Sequence, residues 1–156
     1  MNDHSLAFLK RLLATPGPSG DEVAVGRIWR REAETFADQV YADVRGSSYA
    51  VLEGGAPRVL LAGHIDEIGV MVSAIDDDGF LWFSPIGGWD PQVLVGQRVR
   101  LAGRAGDVIG VIGKKPIHQM KPDEREKASK IEDLWIDIGV TSRAEPENWC
   151  VSAPPA

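Results

Sequence analysis

Two helices are predicted in the first forty residues. Leucines recur at helical spacing from Leu6 to Leu13, which is typical of a short amphipathic helix with Asp3 or Ser5 available as its N-cap. The Pro- and Gly-rich residues 15–20 then break the pattern.

The second helix is predicted to begin at a capping box. Ser19 and Glu22 have the Ser-x-x-Glu spacing in which each side chain satisfies a free backbone N–H. Val25, Ile28 and Trp29 follow on one helical face. We therefore expect a helix here that is longer than the first.

The apolar period changes to that of β-strands after residue 40. Residues 40–44 and 48–52 are strand-like and are joined around Gly46, which predicts a hairpin. Residues 59–62 (Val-Leu-Leu-Ala) form a continuous apolar run instead of an alternating one. Such a run favours a strand covered on both faces, and we expect it in the middle of a sheet.

The sequence predicts an all-β region after Gly69. Turns at residues 76–79 and 103–106 separate short strands at regular spacing, which favours a small barrel or sandwich. The mixed charges of residues 121–130 predict an exposed loop or helical turn. We place a module boundary near Gly69. The predicted strands are residues 70–75, 80–83, 98–101, 108–112 and 134–138.

The composition is that of a globular protein. The chain has 156 residues, 44% of them hydrophobic and 26% charged, so it is long enough to bury a core and fold alone. A net charge of −6 disfavours nucleic-acid binding, and no apolar run approaches the ~18 residues of a membrane span. Cys150 is the single cysteine and cannot form an internal disulfide. We expect a cytoplasmic protein that binds neither nucleic acid nor membrane.

His64 is the residue with the clearest chemical potential. It directly follows the apolar run, at the expected carboxyl end of a strand, where open α/β sheets bind ligands. Asp66 has the spacing to act on the same site, either as a ligand or as an acceptor that holds the imidazole ring, and Glu67 is a third candidate donor. A His-x-Asp pair also occurs by chance, and a histidine at a strand end is often purely structural. Spacing alone therefore leaves both interpretations open.

Other motifs in the sequence do not indicate a catalytic or binding site. The sequence contains neither a Gly-x-Ser-x-Gly nucleophile motif nor a Gly-x-x-x-x-Gly-Lys-Ser/Thr phosphate loop. His4 and His118 are not expected to be ligands, and residues 87–90 (Gly-Gly-Trp-Asp) predict a tight turn with a packed ring.

Several segments, in order, resemble the tetrahedral dinuclear-metal aminopeptidases. This family of cytosolic exopeptidases includes glutamyl and leucyl aminopeptidases and has often been labelled endoglucanase. The resemblance covers about residues 5–149. The matching segments are Thr15-Pro16-Gly17-Pro18-Ser19-Gly20 with Glu22, Ala62-Gly63-His64-Ile65-Asp66-Glu67-Ile68-Gly69, Ile86-Gly87-Gly88-Trp89, Gly110-Val111-Ile112-Gly113-Lys114-Lys115-Pro116 and Ile136-Asp137-Ile138-Gly139.

The resemblance implies an architecture for the whole chain. Residues 1–68 would be the N-terminal part of an α/β catalytic domain of the zinc-exopeptidase type. Residues 69–140 would be an inserted all-β barrel that serves as a lid and dimerisation module. Residues 141–156 would begin the return to the catalytic domain, and the chain departs from the family's pattern at Cys150. We expect that end to reflect a frameshift, a truncation or a shortened product.

The resemblance also implies the chemistry. His64 would be a metal ligand and Asp66 the carboxylate that supports it. In the family two divalent ions, zinc or cobalt, activate a water that attacks the peptide carbonyl while a glutamate moves the proton. The other ligands and that glutamate follow the inserted module in the family, so His64 is the one ligand assigned in this chain.

The implied function is a metal-dependent aminopeptidase that acts on the N-termini of peptides and forms a homo-oligomer through the β-barrel module. Because most ligands lie beyond the matched segments, we expect this chain alone to be an incomplete and inactive portion. Two alternatives stay open. One is a non-catalytic lid and oligomerisation module that acts with an intact homologue, and the other is an endoglucanase-type glycoside hydrolase that uses two carboxylates and no metal.

Overall fold

The computed structural model of the chain describes residues 1–104 and 106–149, with side chains described as far as residue 146 and residue 105 omitted. The chain divides into two compact units at Gly69 and Val70. The division falls where the strand pattern begins in the sequence. The roles of the predicted domains 1–68, 69–140 and 141–156 remain predictions.

The first unit begins with the two predicted helices. These are α1, Asp3–Ala14, and α2, Val23–Ala33. The side chain of Asn2 accepts a hydrogen bond of 2.8 Å from the backbone N–H of Ser5, so Asn2 caps α1, and the predicted caps Asp3 and Ser5 are wrong.

The predicted capping box of α2 is also wrong. The helix begins after Glu22, whose carboxylate accepts from the N–H of Gly20 at 2.7 Å instead of closing a box with Ser19. With 11 residues, α2 is slightly shorter than α1, which has 12. Ser19 has another partner, described with the site below.

The predicted hairpin is confirmed. Strand β1, Gln39–Ala42, pairs antiparallel with β2, Ser48–Val51. Gly46 lies in the connection at φ +91°, a left-handed conformation that glycine adopts without steric cost.

Residues 59–62 do not form the predicted central strand. Within the described chain this segment has no strand assignment, and Val59, Leu60 and Leu61 are 77%, 85% and 91% exposed. A continuous apolar run shows that both faces suit burial, but burial also needs neighbouring strands and covering layers. The described residues provide neither for this segment.

The second unit contains a five-stranded antiparallel sheet, and the predicted strands after Gly69 are confirmed. The sheet order is β3-β4-β7-β6-β5, with β3 and β5 at its edges among the described residues, so a closed barrel remains a prediction. The strands are β3 (Gly69–Ile75), β4 (Leu81–Ile86), β5 (Arg98–Leu101), β6 (Val108–Lys114) and β7 (Leu134–Asp137). The short helices are α3 (Pro91–Leu94), α4 (Pro122–Arg125) and α5 (Ala144–Trp149), with 3-10 turns at Ile117–Gln119 and Ile131–Asp133.

The hydrophobic core lies in the second unit. Strands β4 and β7 bury alternate residues, as the strand period requires. Trp89 packs against this core after a turn in which Gly87 has φ +80°, as predicted for residues 87–90. The core residues are Leu81, Phe83, Leu94, Leu101, Ile112, Leu134 and Ile136. In the first unit, Val25 and Ala33 are the buried hydrophobic residues among those described.

Candidate metal-binding turn

Glu67 joins two loops of the first unit, residues 15–20 and 64–69. Its backbone N–H donates to the carbonyl of Gly17 at 2.9 Å, and its own carbonyl accepts from the N–H of Ser19 at 3.2 Å. Its carboxylate accepts from the N–H of Gly17 at 3.0 Å, and Pro18 pairs with Glu67 as a parallel β-bridge. The carboxylate that the sequence offered as a third donor is therefore bound to the loop backbone.

Glycine is required for the close approach of this loop to α2. A Cβ built on Gly17 would lie 2.6 Å from Cγ1 of Val25, a separation that carbon atoms do not tolerate. Val25 is one of the buried residues of α2. The packing of α2 thus fixes the position of the loop that Glu67 binds.

The hydroxyl of Ser19 donates to Oδ2 of Asp66 at 2.5 Å. This hydrogen bond is the main cause that holds the pKa of Asp66 below its ordinary value, because it favours the charged carboxylate. Partial desolvation raises the pKa, while the contact with His64 lowers it further. Asp66 is therefore ionised at neutral pH.

The other oxygen of Asp66 faces His64. Nδ1 of His64 lies 3.1 Å from Oδ1 of Asp66 and 3.0 Å from the backbone carbonyl of Asp66. A carbonyl oxygen can only accept, so Nδ1 carries the proton and Nε2 of the neutral ring keeps a lone pair. The His64 side chain is 86% exposed, so this lone pair is accessible.

The arrangement fits one metal-ligand position. A carboxylate that holds Nδ1 of a histidine is the usual outer partner of a ligating imidazole. Among the described residues, however, no group of three or more His, Cys, Asp or Glu side chains is arranged to hold an ion. In the described part of the chain, His64 is thus oriented to bind an ion through Nε2, but the further ligands of a coordination sphere are not present.

The remaining candidates lie elsewhere. The ring of His4 contacts the carboxylate of Glu32 between α1 and α2, and His118 lies exposed in the 3-10 turn at Ile117–Gln119. Cys150 lies outside the described residues. Ser19, which the sequence predicted as a helix cap, instead supports Asp66. Ser19 lies in the Thr15–Gly20 segment that resembles the family, and this was the sequence signal that it belongs to the site.

The family model described as M42 glutamyl aminopeptidase matches residues 46–153. This chain belongs to the M42 glutamyl aminopeptidase family. The resemblance stated from the sequence is thereby confirmed.

Named relatives agree with that assignment. The chain is 35% identical over 143 residues to a lysyl aminopeptidase of Pyrococcus furiosus, covering 90% of this chain and 41% of that protein. Its structure is similar to the crystal structure of a TET aminopeptidase from a marine sediment archaeon of the Thaumarchaeota, with a TM-score of 0.92 and 43% identity over 97% of this chain and 42% of the other. It is also similar to the TET1 peptidase of Pyrococcus horikoshii, which can assemble into a tetrahedron or a large octahedral shell (TM-score 0.77, 35% identity, 90% and 42% covered).

The chain spans about two fifths of the length of these relatives and corresponds to their N-terminal portion. In the part of the chain that the structure describes, no helix has the length and apolarity needed to cross a membrane.

Proposed function

We propose that this chain provides the histidine turn of a metal-dependent aminopeptidase, with His64 as a metal ligand and Asp66 as the carboxylate that supports it. The observation that carries the proposal is the contact of Asp66 with Nδ1 of His64, which leaves Nε2 accessible at an exposed position. Membership of the M42 family supports the aminopeptidase reaction and peptide N-termini as the substrate.

The residues of the turn have separate tasks in this proposal. Asp66 accepts a hydrogen bond from Nδ1–H of His64 and selects the tautomer that can bind an ion through Nε2. Ser19 holds the second oxygen of Asp66, and Glu67 fixes the loop that carries Ser19. A bound divalent ion supplies Lewis acidity and lowers the pKa of a coordinated water. The proposed metal is zinc or cobalt, with two ions per site.

The proposal includes inactivity of this chain alone. An ion bound by His64 needs about three further donors, and a peptidase also needs a group to move the proton. We propose that these groups come from polypeptide equivalent to the unmatched part of the relatives.

For residues 69–140 we propose the lid and assembly role of an inserted β-barrel in a cytoplasmic homo-oligomer. The shells formed by the Pyrococcus horikoshii TET1 peptidase support assembly, and so do Ile109 and Val111, which are apolar and exposed on β6. Light scattering of the chain, alone and mixed with an intact homologue, tests this role. A strictly monomeric chain that never enters the homologue's assembly would exclude the role, including its non-catalytic form.

An endoglucanase reaction has less support. Asp66 is bound by Ser19 and His64, and the Glu67 carboxylate is bound by the N–H of Gly17. A glycosidase pair needs two carboxylates free to face a sugar ring from opposite sides. We therefore do not propose this function.

A chimeric enzyme tests the proposed activity. Residues 1–149 replace the matched part of the Pyrococcus furiosus lysyl aminopeptidase, and release of an N-terminal amino acid from an anilide is measured with and without a chelator. We expect chelator-sensitive activity. His64→Ala should lower kcat/KM more than about 100-fold, since even the outer partners of ligands are worth 10–100-fold. His118→Ala, an exposed control, should leave it unchanged. A folded chimera that binds metal and releases no amino acid, or one indifferent to His64, would overturn the proposal.

A further inference from the structure

The segment from the end of β6 to the turn before β7 has a local excess of positive charge. Residues 114–130 contain six Lys or Arg side chains and three Asp or Glu side chains, in a chain whose net charge is −6. A local charge opposite in sign to that of the whole protein attracts anions to its part of the surface. An anionic ligand is therefore the class that this segment suits.

Lys114 and Arg125 are two cations of this segment that line one cleft. Nζ of Lys114 donates to the hydroxyl of Ser129 at 3.1 Å, and Nε of Arg125 donates to the carbonyl of Met120 at 3.2 Å. In the described part of the chain, neither cation has a carboxylate within ion-pair distance. Two of the three acidic residues are already paired with other cations, Glu124 with Lys115 and Asp123 with Lys127.

The cleft combines these charges with apolar surface. Its volume is about 460 Å³, and Val95, which packs against the core, and Ala128 form part of its wall. The pairing of β6 with β7 fixes the backbone of Lys114. The bond to Met120 orients the guanidinium of Arg125, whose two terminal nitrogens make no hydrogen bond to a described residue. The cleft therefore offers a fork of N–H donors and an ammonium group beside an apolar wall.

We propose that this cleft binds the carboxylate of a short peptide through the guanidinium of Arg125 and the ammonium of Lys114. A guanidinium matches a carboxylate with two parallel N–H···O bonds, and Lys114 adds a third charged donor. The apolar wall suits the carbon skeleton next to the carboxylate. The carboxylate is that of the peptide's C-terminus or of an acidic side chain. The proposal does not rest on the metal-binding turn, because every residue of the cleft lies in the second unit.

Free phosphate fits the cleft less well than a peptide. Glu126 also lines the cleft, and its negative charge disfavours the higher charge of phosphate more than that of a single carboxylate. The oxygens of Glu126 can instead accept from the backbone N–H groups of a peptide. The volume of about 460 Å³ also lies within the roughly 300–1,000 Å³ of small-molecule sites and exceeds what one tetrahedral ion fills.

The test is a titration of the metal-free 156-residue chain, followed by the NMR signals of its backbone amides. Acetyl-trialanine with a free C-terminus is compared with the same peptide as its C-terminal amide. A third peptide, amidated and with glutamate as its middle residue, has its carboxylate on a side chain, and sodium phosphate is the fourth probe. We expect saturable shifts at Val95 and Ala128 with a peptide that has a carboxylate, and the peptide that binds identifies the source of that group. The uncharged amide should not bind, and phosphate should bind more weakly.

Two variants locate the site. Arg125→Gln and Lys114→Gln should each weaken binding of the carboxylate about tenfold, because each removes a charge-assisted hydrogen bond. Both side chains are exposed, so the circular dichroism of the free chain should stay unchanged. Arg98→Gln removes an exposed cation of β5 outside the cleft and should bind like the natural chain.

A third variant tests the preference for a peptide over phosphate. Glu126→Gln removes the negative charge of the cleft and should narrow the difference in affinity between phosphate and the peptide. The proposal is overturned if no peptide with a carboxylate gives saturable shifts, if the uncharged amide binds equally well, or if phosphate binds more tightly than every peptide. Unchanged affinity in Arg125→Gln and Lys114→Gln would equally overturn it.

Discussion

The hydroxyl of Ser19 donates a hydrogen bond of 2.5 Å to Oδ2 of Asp66, a residue 47 positions away in the sequence. The other carboxylate oxygen of Asp66 contacts Nδ1 of His64. A loop before α2 is thereby connected to the histidine through one carboxylate. The orientation of His64 therefore depends, through Asp66, on Ser19, which is not a proposed metal ligand.

Removing the Ser19 hydroxyl should raise the pKa of Asp66 toward its ordinary value. The hydroxyl favours the charged carboxylate, so Ser19→Ala removes the main cause of the lowered pKa. A carboxyl with a lowered folded-state pKa contributes stability above its unfolded pKa and loses it as the pH falls through the folded value. The stability difference between the natural chain and Ser19→Ala should therefore disappear in that acidic range.

Carboxyl-detected NMR titration of the metal-free chain measures this pKa. Ser5→Ala, an alteration in α1, serves as the control and should leave the titration of Asp66 unchanged. An unchanged pKa in Ser19→Ala would show that the hydrogen bond does not persist in solution.

Truncating the Glu67 side chain should loosen the loop before α2. Glu67→Ala leaves the N–H of Gly17 without its carboxylate acceptor, at a cost of about 1 kcal/mol, the value for an ordinary hydrogen bond, because the exposure of Glu67 weakens the effect of its charge. Amide exchange at Gly17 should then be about fivefold faster. Glu67→Gln keeps an acceptor oxygen and should show a smaller effect. Equal exchange in all three chains would contradict the assigned role.

The second unit was predictable because its signals are local. Residues 134–138 place Leu134, Ile136 and Ile138 on one face of a strand, and Leu134 and Ile136 are buried. Residues 80–83 are all apolar, so the sequence predicts a strand there without specifying that Leu81 faces the core. Glycine turns between the strands set the chain reversals. The pairing order β4-β7-β6 was not predictable from these patterns, because they do not specify which strands become neighbours.

The first unit was less predictable because its signals depend on distant residues. Ser19 and Glu22 have the spacing of a capping box, but the hydroxyl of Ser19 donates its hydrogen bond to Asp66 and does not cap α2. The apolar run at residues 59–62 predicted a buried central strand, but the segment is exposed and has no strand assignment, because burial depends on neighbouring strands that no local pattern specifies. The contact between His64 and Asp66 was expected from their spacing in the sequence. The hydrogen bond from Ser19 to Asp66 was not, because the two residues come together only in the folded structure.

Truncating a core residue of the sheet should destabilise the second unit strongly. Ile136 is fully buried in β7, and Ile136→Ala should lower the free energy of unfolding by about 2–5 kcal/mol through lost burial and the cavity left behind. Ile109→Ala, on the exposed face of β6, should cost at most about 1 kcal/mol. Urea unfolding followed by the fluorescence of the tryptophans in β4 and β7 measures both. Similar losses for the two variants would contradict the location of the core.

A side chain at Gly110 should strain the same core from the neighbouring strand. A Cβ built there would lie 2.4 Å from Cγ2 of Ile136 and 3.2 Å from the carbonyl oxygen of Asp137. Gly110→Ala should therefore cost about 1–3 kcal/mol by overpacking. Gly88→Ala is the matched control, because nothing lies within 4 Å of its added Cβ.

The double variant separates strain from a general loss of stability. Ile136→Ala removes the Cγ2 atom that the Gly110→Ala methyl group would meet, so the two changes combined should cost less than the sum of their separate effects. Couplings of about 0.5–3 kcal/mol are typical of residues in contact. Gly88→Ala combined with Ile136→Ala should instead be additive. Additivity in both pairs would mean that Gly110 is required for a reason other than its contact with Ile136.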